Sequence, residues 1–244
     1  SFFWKNINKV LTYGSNQLNE TIKYDLGGKR PSQLNHNSFI FNQYIADNVE
    51  GIIPVNYEYE IAYQDHNKCR EFIPQPIDIN SINKIKLKSQ NKIRVFHGLS
   101  RYGMKGTRFI EAAFDKLRNH FSKNFEFIIK GKLPINKYLH EINLSNIIVD
   151  QCFSRSYGMN ALYSMSLNKV VLSGSEKIIH EKMGVKSIPV INIIPDEDYI
   201  YEILADLLNQ PEKINRLSSE SRQYVQKYHE SSLIAEKFLK EWKI

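Results

Sequence analysis

The chain has 244 residues, of which 42% are hydrophobic and 24% charged, with 33 Lys and Arg against 26 Asp and Glu for a formal charge of +7. Those proportions fit a globular protein with room for one large or two small domains. No run of about 18 apolar residues could span a bilayer, Cys69 and Cys152 form neither a disulfide framework nor a metal-binding spacing, and residues 1–5 lack the basic start and apolar core of a signal peptide; the chain reads as cytoplasmic.

The excess positive charge either meets an anionic partner, a phosphate ligand or an anionic membrane face, or is a solvated surface rich in Lys. No arginine-rich tract or aromatic-interleaved basic motif is present, so nucleic acid is not an expected partner.

Residues 1–78 show no regular alternation. Residues 10–14 read as a strand running into a turn, and the breakers in 25–31 read as a loop. Residues 39–46 read as a helix and 51–55 as a strand. Pro74 and Pro76 keep the residues before them extended, so 72–78 and the polar stretch 80–91 form a linker. The expected division is a partial domain and linker over 1–78 and a second domain over 79–244.

Regular alternation starts at residue 93. A strand over 93–97 ends at Gly98, the loop 99–106 follows, and Thr107 stands as the N-cap of a helix carrying Phe109, Ile110, Ala113, Phe114 and Leu117. A strand over 125–129 stops at Lys130-Gly131, and Pro134 opens a helix with Tyr138, Leu139 and Ile142. The apolar run 147–149 has the pattern of a strand buried on both faces. After a polar loop, Gly158 opens a helix that Asn168 closes, and 170–172 is a second buried strand. A strand over 188–193 lies near an edge because of Pro189. Asp196 caps one helix, Pro211 starts another, and Ser231 or Ser232 caps a last one with Ile234, Phe238 and Leu239. That last helix is expected to pack back across the linker onto the N-terminal part. Strands alternating with helices give an α/β, Rossmann-like, doubly wound parallel sheet, accompanied by a partial second α/β domain.

Ligands of such sheets bind at the carboxyl ends of the strands, and two loops there could take an anion. The loop 97–107 carries Arg101 and Lys105 as fixed charge, with Gly98, Gly103 and Gly106 allowing close backbone approach. It is neither a Walker loop nor GxGxxG, and it reads equally well as an exposed basic surface loop. The amides at Gly158, Met159 and Asn160 open a helix, where an anion or plain packing fits. Asp150 and Gln151 end a buried strand, placed to accept from sugar hydroxyls or to cap a turn. His36, His66, His140, His180 and His229 show no ligand spacing, and no serine elbow or Cys/His pair supports a hydrolase.

Three blocks, His97-Gly98 through Lys105-Gly106-Thr107, then Asp150-Gln151, then Tyr157-Gly158 through Val171, resemble the donor half of a GT-B glycosyltransferase. The likeness is nearest to the retaining enzymes called family 4 and covers about residues 48–242. It implies two Rossmann-like domains facing a cleft, a nucleotide-sugar donor held mainly by the C-terminal domain, and no metal or other cofactor. It further implies a glycan or lipid-linked acceptor in surface polysaccharide synthesis, with peripheral contact at the inner membrane face. By the resemblance, Arg101 and Lys105 hold the donor diphosphate beside Gly98 and the amides of Gly158, Met159 and Asn160. Lys130 and Gly131 lie near the base, while Asp150, Gln151 and Tyr163 meet the sugar or nucleoside.

The sequence departs from that family in two ways. The positions of its Glu-x7-Glu motif hold Arg155 and Tyr163, and only about 78 residues precede the donor domain, as in a fragment. The first expectation is therefore hexosyl transfer from a nucleotide-sugar; the alternatives are a catalytically silent homologue that binds the donor or a partner enzyme, and an epimerase of the same fold.

Overall fold

Every strand of the sheet contains β-branched residues, joined by aromatic ones in the two longest. In the computed structural model, which describes residues 36–82, 92–99, 105–121 and 124–242, the elements are α1 (His36–Asn48), α2 (Tyr57–Tyr63), β1 (Ile93–Leu99), α3 (Thr107–Phe121), β2 (Phe125–Gly131), α4 (Ile135–Leu144) and β3 (Ile147–Val149), followed by α5 (Met159–Ser166), β4 (Val170–Ser173), α6 (Lys177–Lys182), β5 (Val190–Asn192), α7 (Glu197–Leu208), α8 (Pro211–Tyr228) and α9 (Ser231–Trp242). The strand over 10–14, the loop over 25–31 and the residue Arg101 lie outside the described residues.

The five strands pair in the order β2-β1-β3-β4-β5, all parallel. The order reverses direction between β1 and β3, and that switch point opens a crevice at the carboxyl ends of the two strands. Side chains alternate across the sheet. Val95, Ile147, Val149 and Leu172 face α3 and α7, where Ile110, Phe114, Ile200 and Leu204 are buried. Phe96, Ile148 and Val171 face the other way, against Leu162 and Met165 of α5 and Val225 of α8. Each fully buried side chain of this size contributes about 1.5–3 kcal/mol, so the two layers fix the sheet from both faces.

Several expectations hold in detail. Asp196 accepts hydrogen bonds from the amides of Asp198 at 2.9 Å and Tyr199 at 3.0 Å, capping α7. Asn168 takes a left-handed φ of 58°, the conformation in which Asn often ends a helix. Edge strand β5 follows Pro189.

Other boundaries move. Residues 51–55 form no strand; Ile52 makes one isolated parallel bridge to Cys69, and Pro54 cannot donate to a ladder. Thr107 is the first residue of α3 and does not cap it, because the Gly106 carbonyl takes the Phe109 and Ile110 amides and the threonine hydroxyl is turned to His97. At α9 the capping group is Glu230, whose carboxylate accepts from the Ser232 amide at 2.8 Å. Among the described residues, 36–82 contribute α1, α2 and extended chain, with no strand. Ile77 ties that segment to the start of α9: its amide bonds the His229 carbonyl at 2.8 Å and its carbonyl takes the Ser231 amide at 3.1 Å. Farther along α9, Leu239 and Trp242 are exposed.

Candidate functional site

At the switch point, Asp150 continues β3 by one backbone hydrogen bond, its amide to the Leu172 carbonyl at 2.8 Å. Its carboxylate is buried and collects three donors. Lys105 Nζ lies at 2.8 Å, Asn160 Nδ2 at 2.6 Å and the Ser173 hydroxyl at 3.2 Å. Burial pushes the Asp150 carboxyl up, and the Lys105 ammonium with the bonds from Lys105 and Asn160 outweighs it, leaving the group below the usual carboxylate range. Tyr138 extends the chain of contacts, donating to Asn160 Oδ1 at 2.6 Å. Burial, and then Asp150, raise its phenol.

His97 secures the frame under this network. Its Nδ1 lies 2.7 Å from the Val149 carbonyl and its Nε2 3.0 Å from the Thr107 hydroxyl. A carbonyl can only accept, so Nδ1 carries the proton and Nε2 accepts. This one ring links the ends of β1 and β3 to the first turn of α3, directly after Lys105-Gly106.

The network floors a cavity of about 690 Å³. Lys105, Lys132 and Asp150 are its charged lining residues. Leu99, Leu133 and Ile135 give the lining an apolar part, and Gln151 lines it together with Gly158, Met159 and Asn160 at the start of α5. Gly158 precedes α5 with no side-chain cap, so the first-turn amides lie where an anion is favoured by the helix dipole. Lys132 lines the cavity with φ at 55°, an uncommon conformation for a residue with a Cβ and one often found at functional sites. Among the described residues no group of three or more His, Cys, Asp and Glu is placed to hold a metal ion.

The structure thus brings together Lys105, Asp150, Gln151, Gly158, Met159 and Asn160. Lys105 is not the exposed loop residue expected from sequence; its side chain is 15% exposed and ion-paired. Gly98 has a different use from the one expected. A Cβ there would fall 2.3 Å from Tyr138 Cε2, so the missing side chain makes room for the tyrosine ring. Lys130 turns away to Glu141 at 2.7 Å, and Gly131 packs on Leu99. Tyr163 is half-buried against the α5–α8 side of the core and does not line the cavity. Tyr138, Lys132 and the apolar part of the lining were missed. In sequence Tyr138 is one more residue on a helix face, and only the fold sets it over Gly98.

The sequence matches no family model and no curated protein. Solved structures do match. The chain superposes on Anabaena HepE in complex with UDP and glucose with a TM-score of 0.61 and 11% identity, covering 87% of this chain and 67% of that one. Sucrose-phosphate synthase from Thermosynechococcus elongatus gives 0.63 and 14%, covering 91% and 64%. A variant of S. aureus TarM in complex with fondaparinux, alpha-GlcNAc-glycerol and UDP gives 0.57 and 15%, covering 82% and 45%. The likeness shows a shared fold, that of GT-B glycosyltransferases, and the chain spans about two thirds or less of the length of these neighbours.

Proposed function

We propose that the chain binds a nucleotide-sugar in the cavity at the β1/β3 switch point and serves glycosyl transfer from it. One observation carries the reading: the Lys105 ammonium and the uncapped start of α5 open into the same cavity. A diphosphate needs a fixed cation and free backbone amides, and this is where both converge. The apolar part of the lining, Leu99, Leu133 and Ile135, offers a surface for the rest of the donor. HepE and TarM, which share the fold, were solved with UDP.

In transfer, negative charge grows on the departing diphosphate. Lys105 and the α5 amides would meet that charge from positions set before the ligand arrives, which is the efficient form of electrostatic stabilisation. Asp150 holds Lys105 and Asn160 in place and stays ionised at neutral pH. The reading assigns this neutralisation to protein groups and requires neither a metal nor another cofactor. Arg101, on the same loop, is proposed as a second cation.

The resemblance of the three sequence blocks extends the proposal to a hexose moved with retention onto a glycan or lipid-linked acceptor, in surface polysaccharide synthesis at the cytoplasmic membrane face. No helix among the described residues is long and apolar enough to cross a membrane. The proposed division keeps residues 1–78 on the acceptor side and 79–244 on the donor side.

A silent homologue that binds donor without transfer is the second reading. It is favoured by Tyr163, packed against the core, and by Arg155, paired with Glu176 at 3.9 Å: neither motif position presents a carboxylate. Calorimetric titration with UDP, ADP and GDP and their glucose conjugates tests the shared step. Saturable binding of one base series is expected, and no binding by any would overturn both readings. Labelled sugar appearing on an added glycan or lipid-linked acceptor separates transfer from silence.

A further inference from the structure

The loop 154–157 leads into Gly158, and it is held by groups from distant parts of the chain. Glu58, the second residue of α2, accepts from the Ser154 hydroxyl, from the Ser156 hydroxyl and, at 3.0 Å, from the Ser156 amide. Asn56 caps α2 by accepting from the Glu58 amide at 3.0 Å, and its Nδ2 points to the Tyr157 carbonyl at 3.5 Å. From below, Gly174 passes so close that a Cβ there would lie 2.0 Å from the Ser154 carbonyl oxygen. From within, Gln151 Nε2 donates to the Ser156 carbonyl at 3.1 Å. The Tyr157 hydroxyl is fixed by Tyr224 at 2.8 Å and His229 at 3.0 Å.

The loop has no ladder of its own, so its shape depends on these outside contacts. Most of them come from the sheet domain. Glu58 does not, and three donors of the loop converge on its full negative charge, the strong class of hydrogen bond. We propose that Glu58 is a positioning residue for the nucleotide-sugar site: a carboxylate from the segment before the sheet sets the loop that aims the first amides of α5 into the cavity. The inference rests on the donor-binding reading above. It makes donor affinity depend on residue 58, which does not line the cavity. Lys182 to Glu60 at 2.6 Å adds a second tie between α2 and the sheet domain, one that does not touch the loop and serves as a control.

The test uses the full chain with Glu58→Ala, Glu58→Gln and the control Glu60→Gln. UDP is titrated by calorimetry at a temperature where circular dichroism shows every variant folded, and amide exchange is followed over residues 154–162. Glu58→Ala should weaken UDP about tenfold, the size expected when one or two hydrogen bonds no longer hold the site, and speed exchange in that segment. Glu58→Gln keeps the length and one acceptor, and should recover most of the affinity. Glu60→Gln should change melting only. If Glu58→Ala does not fold, the pair Ser154→Ala with Ser156→Ala reads the same contacts more gently. UDP affinity within twofold of wild type in folded Glu58→Ala, or in that serine pair, overturns the proposal, as does unchanged exchange over 154–162. Wild-type chain that takes none of UDP, ADP and GDP defeats the donor-binding reading instead; if it takes ADP or GDP, that diphosphate replaces UDP in the same titrations, and the exchange measurement decides in either case whether Glu58 sets the loop.

Discussion

Lys105 Nζ sits 2.8 Å from Asp150 Oδ1, with 15% and 4% of the two side chains exposed. A loop cation at a sheet edge is thus the partner of a buried carboxylate. Removing one member of such a pair strands the other, at a cost of about 3–5 kcal/mol. Lys105→Ala should therefore lower stability by that order in urea unfolding, as well as weaken UDP about tenfold to a hundredfold. Adding Asp150→Asn should restore much of the stability, because the residual group is neutral, and none of the affinity. A Lys105→Ala protein as stable as wild type would show that the pair is not formed in solution.

The ring over Gly98 gives a second expectation. Gly98→Ala places a methyl within 2.3–2.7 Å of three Tyr138 atoms, so the ring must move. Overpacking of this kind costs about 1–3 kcal/mol, and the Tyr138 bond to Asn160 should be lost with it. Combining Gly98→Ala with Tyr138→Ala should relieve the clash. Equal stability of Gly98→Ala and wild type would mean that Tyr138 is not seated there.

Tyr163 offers a prediction of no effect. Its side chain packs against the core on the α5–α8 side, so Tyr163→Phe should leave UDP affinity within twofold. A larger loss, measured by the same titration, would return this residue to the donor site.

How far the sequence leads can be seen by comparing Asp150 with Tyr138. Asp150 ends an apolar β-branched run, and parallel sheets bind ligands at that end, so its place in the site follows from local pattern. The same holds for Lys105 and Gly158, each on a strand-to-helix loop. Tyr138 and Glu58 reach the site region through contacts with residues 22 and 98 positions away, respectively. No local spacing encodes such a contact, and a helical tyrosine or glutamate reads as an ordinary face residue. The cap expected at Thr107 fails for a related reason, whereas the one at Asp196, whose carboxylate has no competing tertiary partner among the described residues, holds. Thr107 has the right chemistry for an N-cap, but its hydroxyl is taken by His97, a tertiary partner that outranks local preference.

The last prediction concerns acid. Burial lowers His97 to about 4, aided by Lys105 and opposed by the Val149 carbonyl and Asp150. Burial likewise lowers His229 to about 4, against the Gln75 carbonyl. Both are neutral in the fold with each ring nitrogen engaged, His229 lying 2.8 Å from the Gln75 carbonyl and 3.0 Å from the Tyr157 hydroxyl. In the unfolded chain each titrates near 6.5. Between about pH 6.5 and 4 the unfolded state therefore binds more protons than the folded one, so stability falls as pH falls through that window. Each group contributes a slope of up to about 1.4 kcal/mol per pH unit and the pair up to about twice that. Asp150, held low by Lys105, adds its loss only below the ordinary carboxylate range. Unfolding free energies from urea titration at pH 7.5, 6.0 and 5.0 should fall at each step, and His229→Gln should flatten the fall by about half. A wild-type chain equally stable at pH 7.5 and 5.0 would mean that neither histidine is held neutral by the fold.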